Sequence, residues 1–329
     1  MPFERNSRKK DDMVLPVEKS IKQSERSNCM NNTRSNNSSK QEFTLTIPKF
    51  CLTELVLPNK TLDEINTVVN AKRCWSKVFD EWGMQEILHQ KKSILVNLYG
   101  ESGTGKTMAA HAIAKELGKK LVCVNYAEIE SKYVGETSKN LTAIFNYAAL
   151  NDALLFFDEA DALLSRRVTN MTNSTDVSVN QTRSVLLTLM NDYEGMVIFT
   201  TNFISNFDPA FMRRIQYHIQ FELPNEELRE KLWRRYIPNR MPADLDYKAI
   251  AGKYDKISGS DISNAVLRAA LKAARLNDES VKEEYFCEAI ESIITSKKAN
   301  SQTSNVVITK RPVTEEYALS QISKKEDEK

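Results

Sequence analysis

Ile94-Leu95-Val96-Asn97-Leu98-Tyr99-Gly100-Glu101-Ser102-Gly103-Thr104-Gly105-Lys106-Thr107 is an apolar run that breaks into a glycine-rich loop and ends in a lysine and a threonine. From Gly100 onward it fits G-x-x-x-x-G-K-[ST] at every defined position. The glycines let the backbone curl so that successive N–H groups face a β-phosphate. Lys106 then reaches the β and γ oxygens, and the Thr107 hydroxyl can sit on Mg²⁺. The residues expected to line a nucleoside triphosphate are therefore Gly100, Glu101, Ser102, Gly103, Thr104, Gly105, Lys106, Thr107 and Met108. An alanine-rich helix from Met108 to Leu117, closed by Gly118, would present the positive end of its dipole to the phosphates.

Around this loop, short apolar runs recur with helical segments between them: Ile94 to Tyr99, Leu121 to Val124, Leu154 to Phe157, Val197 to Thr200 and His218 to Phe221. They are read as lacking the alternation of a half-exposed sheet, as expected of parallel strands covered by helices on both faces. After Pro224 the pattern changes to helical spacing around Glu226 to Tyr236, Tyr247 to Lys253, Gly259 to Ala274 and Val281 to Thr295, with no further strand run. The expected fold is α/β: a P-loop NTPase parallel sheet sandwiched by helices and followed by a small all-helical lid. The expected boundaries are a disordered polar tail at 1–42, the ATPase body at 43–223, the lid at 224–298 and a polar tail at 299–329. The first tail includes Asn31-Asn32-Thr33-Arg34-Ser35-Asn36-Asn37, too poor in apolar surface to offset the entropy of ordering.

Three further stretches carry chemistry. Leu154-Leu155-Phe156-Phe157-Asp158-Glu159 is an apolar strand ending in two carboxylates. Taken alone it reads as a buried strand and an acidic turn. Beside a P-loop, Asp158 is the expected second residue, with Thr107, on Mg²⁺, and Glu159 is the expected general base for the attacking water. Val197-Ile198-Phe199-Thr200-Thr201-Asn202 ends in an amide that a neighbouring strand would deliver near the γ-phosphate, although asparagine is also a common turn former. Next, Phe207-Asp208-Pro209-Ala210-Phe211-Met212-Arg213-Arg214 places two arginines after a helical turn opened by Asp208 with proline at its first position. They are expected as arginine fingers, donors worth about 10³–10⁵ in rate in related NTPases.

This ordered set resembles the AAA+ ATPases, and in detail the classical AAA clade of protein-remodelling machines, over roughly Leu52 to Ser296. Asn202 matches the sensor 1 position, and Thr201-Asn202 through Arg214 resembles the clade's second region of homology. Ile257-Ser258-Gly259-Ser260-Asp261-Ile262 resembles its sensor 2 element, which has no sensor arginine and implies that Gly259 and Ser260 pack near the adenine. That element favours the classical clade over the remodellers of HORMA-domain proteins, whose general layout is similar. Two departures stand out: Glu101-Ser102 replaces a usual proline pair, and Arg213 and Arg214 are adjacent where the family separates its fingers. The resemblance also implies a first pore loop, Lys132-Tyr133-Val134-Gly135, whose Tyr133 and Val134 would grip an extended polypeptide without demanding a sequence. Arg166 through Ser178, polar and expected to be flexible, lies where a second pore loop would fall.

Lys plus Arg at 46 against Asp plus Glu at 44 leaves a net charge of +2, no bulk attraction to nucleic acid or an acidic membrane. The cysteines, Cys29, Cys51, Cys74, Cys123 and Cys287, form no C-x-x-C pair, and with three histidines complete no metal-site spacing. No run is long enough to span a bilayer, and the first residues lack the apolar core expected of a signal peptide. A soluble, cytoplasmic protein is expected. The resemblance implies an ATP- and Mg²⁺-dependent homo-oligomer, a hexamer with one ATPase layer because the chain has no internal repeat. Its partner would be a protein substrate, threaded through the pore, or a separately encoded protease or effector that it switches without threading. A DNA-linked ATPase using the basic N-terminal tail is a third reading, which salt-sensitive stimulation by DNA would mark.

Overall fold

The computed structural model describes residues 43–88, 93–125, 136–166, 174–202 and 207–303. Each apolar run named above is a strand of one sheet. With a sixth, two-residue strand that no run announced, they are in chain order β1 (Leu45–Thr46), β2 (Ile94–Gly100), β3 (Leu121–Asn125), β4 (Leu154–Asp158), β5 (Met196–Thr201) and β6 (Tyr217–Phe221). They lie in the order β1-β3-β4-β5-β2-β6. All neighbours are parallel except β1, which pairs antiparallel with β3. The loop-bearing strand β2 thus has β5 on one side, with Leu98 opposite Thr200, and β6 on the other, with Gly100 opposite Phe221.

The missing alternation has a direct cause. Leu95, Val122, Leu155, Phe157, Val197 and Phe199 face a core completed by α3 (Glu136–Leu150) and α4 (Ser174–Asp192). Their chain neighbours Ile94, Val96, Leu121, Leu154, Phe156 and Ile198 face a second core under α1 (Asn59–Arg73) and α2 (Lys106–Glu116). Successive side chains leave the sheet on opposite faces, and both faces of the central strands are dry; β3 and the edge strand β6 differ, with Cys123 and Gln220 exposed, so the His218 to Phe221 run alternates after all. The alanines Ala109, Ala110, Ala112 and Ala114 let α2 approach the sheet closely enough to aim its first turn at the ends of the central strands.

Beyond Pro224 a third core gathers α5 (Glu226–Tyr236), α6 (Tyr247–Lys253), α7 (Gly259–Leu276) and α8 (Glu283–Thr303) around Trp233, Ile262, Phe286 and Ile290. Asn225, Asp246 and Ser258 cap the first three of these helices with their side chains, each satisfying a backbone donor that a helix start leaves open. The described residues from Phe43 onward form one compact unit.

Three details differ from the sequence reading. Val281–Lys282 is a short strand, β8, pairing parallel with β7 (Ala243–Asp244) rather than opening the last helix; two residues are too few to show a period. The last helix runs past Ala299 to Thr303, because polarity reports solvation and not backbone conformation. Residues from Ser174, expected as part of a flexible loop, begin α4. The N-terminal tail 1–42, the second tail from 304 onward, residues 167–173 and the pore-loop residues Lys132, Tyr133, Val134 and Gly135 lie outside the described residues. Among the described residues no helix is long and apolar enough to cross a membrane.

Candidate active site

Strand β2 ends on Gly100 at φ +145°, where a Cβ would lie 2.1 Å from the Phe221 carbonyl oxygen of β6. Only a hydrogen fits, so this glycine serves the sheet as well as the loop. The loop then turns through Gly103 at φ +78° and Gly105 at φ +102°, the residue that caps α2. Thr104 donates its hydroxyl to the Glu101 carbonyl at 2.8 Å and locks the curl. Ser102, Gly103, Thr104, Gly105, Lys106, Thr107 and Met108 all line a cleft of about 390 Å³.

The neighbouring strands bring the acidic groups to the same cleft. Asp158 closes β4, and the Thr107 hydroxyl lies 3.3 and 3.2 Å from its two carboxylate oxygens. Glu159 follows at φ +51°, a left-handed conformation that a side chain adopts only when its surroundings over-determine it. Asn202, one residue past β5, accepts a hydrogen bond from Lys106 Nζ through Oδ1 at 3.0 Å. Its own N–H is held by the Asp161 carboxylate at 3.1 and 3.2 Å. Lys106 Nζ also donates to the carbonyls of Gly100 at 2.7 Å and Glu101 at 2.9 Å. Gly100 and Glu101 therefore stand behind the loop as anchors of the ammonium rather than on the cleft wall. Burial lowers the Lys106 pKa, while the charges of Asp161, Asp158, Glu159 and Glu101 act the other way.

The remaining walls come from elsewhere in the chain. Leu55 and Leu57, ahead of α1, face Leu228, Leu232 and Tyr236 of α5 across an apolar end suited to a base. Gly259 and Ser260 line the cleft as well. Here the helical part touches the P-loop itself: Ser260 N donates to the Gly103 carbonyl at 3.2 Å, and a Cβ on Gly103 would meet Ser258 Oγ and Ser260 Cβ, each at 2.6 Å. Ser258 is fixed in turn by a reciprocal capping box with Asp261, whose carboxylate receives Lys297 Nζ of α8 at 2.5 Å.

Arg213 and Arg214 do not line this cleft. Arg214 is held within its own chain, Nε donating to Asn191 Oδ1 and Nη1 to the Ala210 carbonyl, both at 2.8 Å. Arg213 is exposed. Sequence reasoning missed Thr200, Asp161 and the apolar wall. For Asp161 a signal existed, a third acidic residue just past the Asp158-Glu159 pair; the residues ahead of α1 offered none.

The geometry defines a P-loop nucleotide-binding site: glycine loop, helix N-terminus, lysine, hydroxyl, paired carboxylates and a strand-end amide meet in one cleft. Residues 96–223 match the model of the ATPase family associated with various cellular activities (AAA), so this stretch of the chain is an AAA ATPase domain. It is 34% identical over 211 residues to the 26S proteasome regulatory subunit 10B of Dictyostelium discoideum, covering 62% of this chain and 53% of that protein. It is 31% identical over 243 residues to the 26S proteasome regulatory subunit 8 homolog of Schizosaccharomyces pombe, covering 71% and 59%. To the katanin p60 ATPase-containing subunit A1 of Strongylocentrotus purpuratus it is 34% identical over 204 residues, covering 57% and 39%. The chain spans about half the length of the curated proteasomal relatives first named by similarity.

Proposed function

We propose that this protein hydrolyses ATP, assembles into a cytoplasmic hexameric ring and pulls a protein substrate through the central pore. The observation that carries the reading is the convergence of Lys106, Thr107, Asp158, Glu159 and Asn202 on one cleft. The loop N–H groups and the Lys106 ammonium hold the phosphates. The donor set of Thr107 and Asp158 suits Mg²⁺, which when bound offsets the negative charge of the β and γ phosphates. Glu159 takes the proton of the attacking water, and the Asn202 amide orients that water. Residues 43–223 act as the ATPase body and 224–298 as a lid over the base.

Among the described residues the cations lining the cleft are Lys106 and Arg235, the latter paired with Glu54. A further donor for the charge that develops on the γ-phosphate comes from outside the chain's own cleft, where Arg213 and Arg214 lie. A neighbouring copy in the ring supplies one of them. Lys132, Tyr133, Val134 and Gly135 serve as the pore loop that grips substrate. The relatives named as proteasome regulatory subunits support a protein substrate and a separately encoded protease as partner.

The test is a trap. Glu159→Gln is expected to bind ATP while turnover falls by about 10²–10⁴, the range for loss of a general base. Tagged in its native host, it should retain a substrate that mass spectrometry identifies and that disappears when Tyr133→Ala is added. Capture that survives the Tyr133 change would sink threading and leave a docked partner.

A further inference from the structure

Three consecutive residues at the end of β4, Asp158, Glu159 and Ala160, are fastened to one residue of β5. Thr200 accepts the Ala160 N–H through its carbonyl at 2.8 Å, an ordinary continuation of the sheet. Its side chain does something the sheet does not require. The Thr200 hydroxyl donates to Asp158 Oδ1 and, through its remaining lone pairs, accepts the Glu159 N–H at 3.0 Å. A hydroxyl is both donor and acceptor, so a single oxygen fixes the carboxylate of one catalytic acid and the backbone of the other. Thr200 is only 1% exposed, yet lies at the cleft wall.

Two features make that oxygen matter. Glu159 sits at φ +51°, where a non-glycine residue costs energy unless something holds it; the N–H that Thr200 accepts is the bond nearest that dihedral. Asp158 is held from two sides, Thr200 on one oxygen and the Thr107 hydroxyl across both, so its orientation is set before any ligand arrives. An aliphatic residue at position 200 would keep the carbonyl bond to Ala160 and the packing of β5, and lose only these two contacts.

We propose that Thr200 is a positioning residue for the hydrolytic reaction, its hydroxyl holding Asp158 and the left-handed Glu159 in the arrangement the chemistry needs. The inference rests on the reading of the protein as an ATPase. It predicts a loss in the chemical step rather than in ATP binding, because the phosphate contacts belong to the loop and Lys106.

The experiment measures steady-state ATP turnover of the full chain, with thermal unfolding of each variant alongside. Thr200→Val, nearly isosteric, is expected to lower kcat about ten-fold or more with KM for ATP within about two-fold of the parent, as for removal of a group that acts in the transition state. Thr200→Ser, which keeps the hydroxyl, is expected to restore kcat. Parent-like kcat in Thr200→Val overturns this inference alone. So does equal loss in the valine and serine variants with unfolding midpoints falling in step, since that places the effect in packing. If the parent turns over no faster than Lys106→Ala, the ATPase reading and this inference both fall.

Discussion

Glycines in this site do different jobs, and their substitution separates them. Gly100 and Gly105 both have positive φ, at +145° and +102°. Around Gly105 nothing lies within 4 Å of an added Cβ, so Gly105→Ala carries only the backbone penalty, about 1–2 kcal/mol. Gly100→Ala would drive a carbon into the Phe221 carbonyl, which belongs to the backbone and cannot swing away. β6 must then shift off β2, and the expected loss is about 3 kcal/mol. Urea unfolding of the two variants checks the order; equal losses would contradict the steric account. The motif pattern treats these two glycines alike, and only the strand pairing distinguishes them.

At the scale of elements, the start of α7 is the most heavily braced helix end in the site. Ser258 and Asp261 cap each other, and Lys297 reaches back from α8 to the same carboxylate. Ser258→Ala removes the cap and should cost about 1 kcal/mol in chemical denaturation. Lys297→Ala should cost less, because the lysine side chain is 51% exposed and its pair is screened. A larger loss for Lys297→Ala would show that the brace outweighs the cap. Much of this level was legible in advance. The β2, β4 and β5 runs declare themselves because both their faces are buried, and α5 to α7 through their helical spacing. The two-residue strands β1, β7 and β8 did not, since pairing so short leaves no period in the sequence. Thr200 stayed hidden for a related reason: its partners are 41 and 42 positions away, and no local pattern encodes a contact that only the sheet order creates.

For the whole molecule, the ring reading proposed above makes the arginines the test of whether one chain is a complete enzyme. Arg214 is occupied by Asn191 and Ala210, whereas Arg213 stands in solvent outside the cleft, which favours Arg213 as the residue offered to a neighbour. Arg213→Ala and Lys106→Ala should each abolish turnover alone. Mixed in equal amounts, they should recover about a quarter of parental activity, from sites where an intact P-loop meets an intact arginine finger from the adjoining copy. No recovery on mixing would place the arginine in its own site.

The wedge of Gly103 against Ser258 and Ser260 also sets a mechanical ratio. α7 has 18 residues and so extends about 27 Å at 1.5 Å per residue, with the wedge at its first turn. Were the helix to tilt as a rigid rod when the loop pushes on its first turn, a few degrees would carry Leu276, at the far end and half exposed, through more than an ångström. A small displacement of the loop would then be geared up into travel at the rim of the helical part.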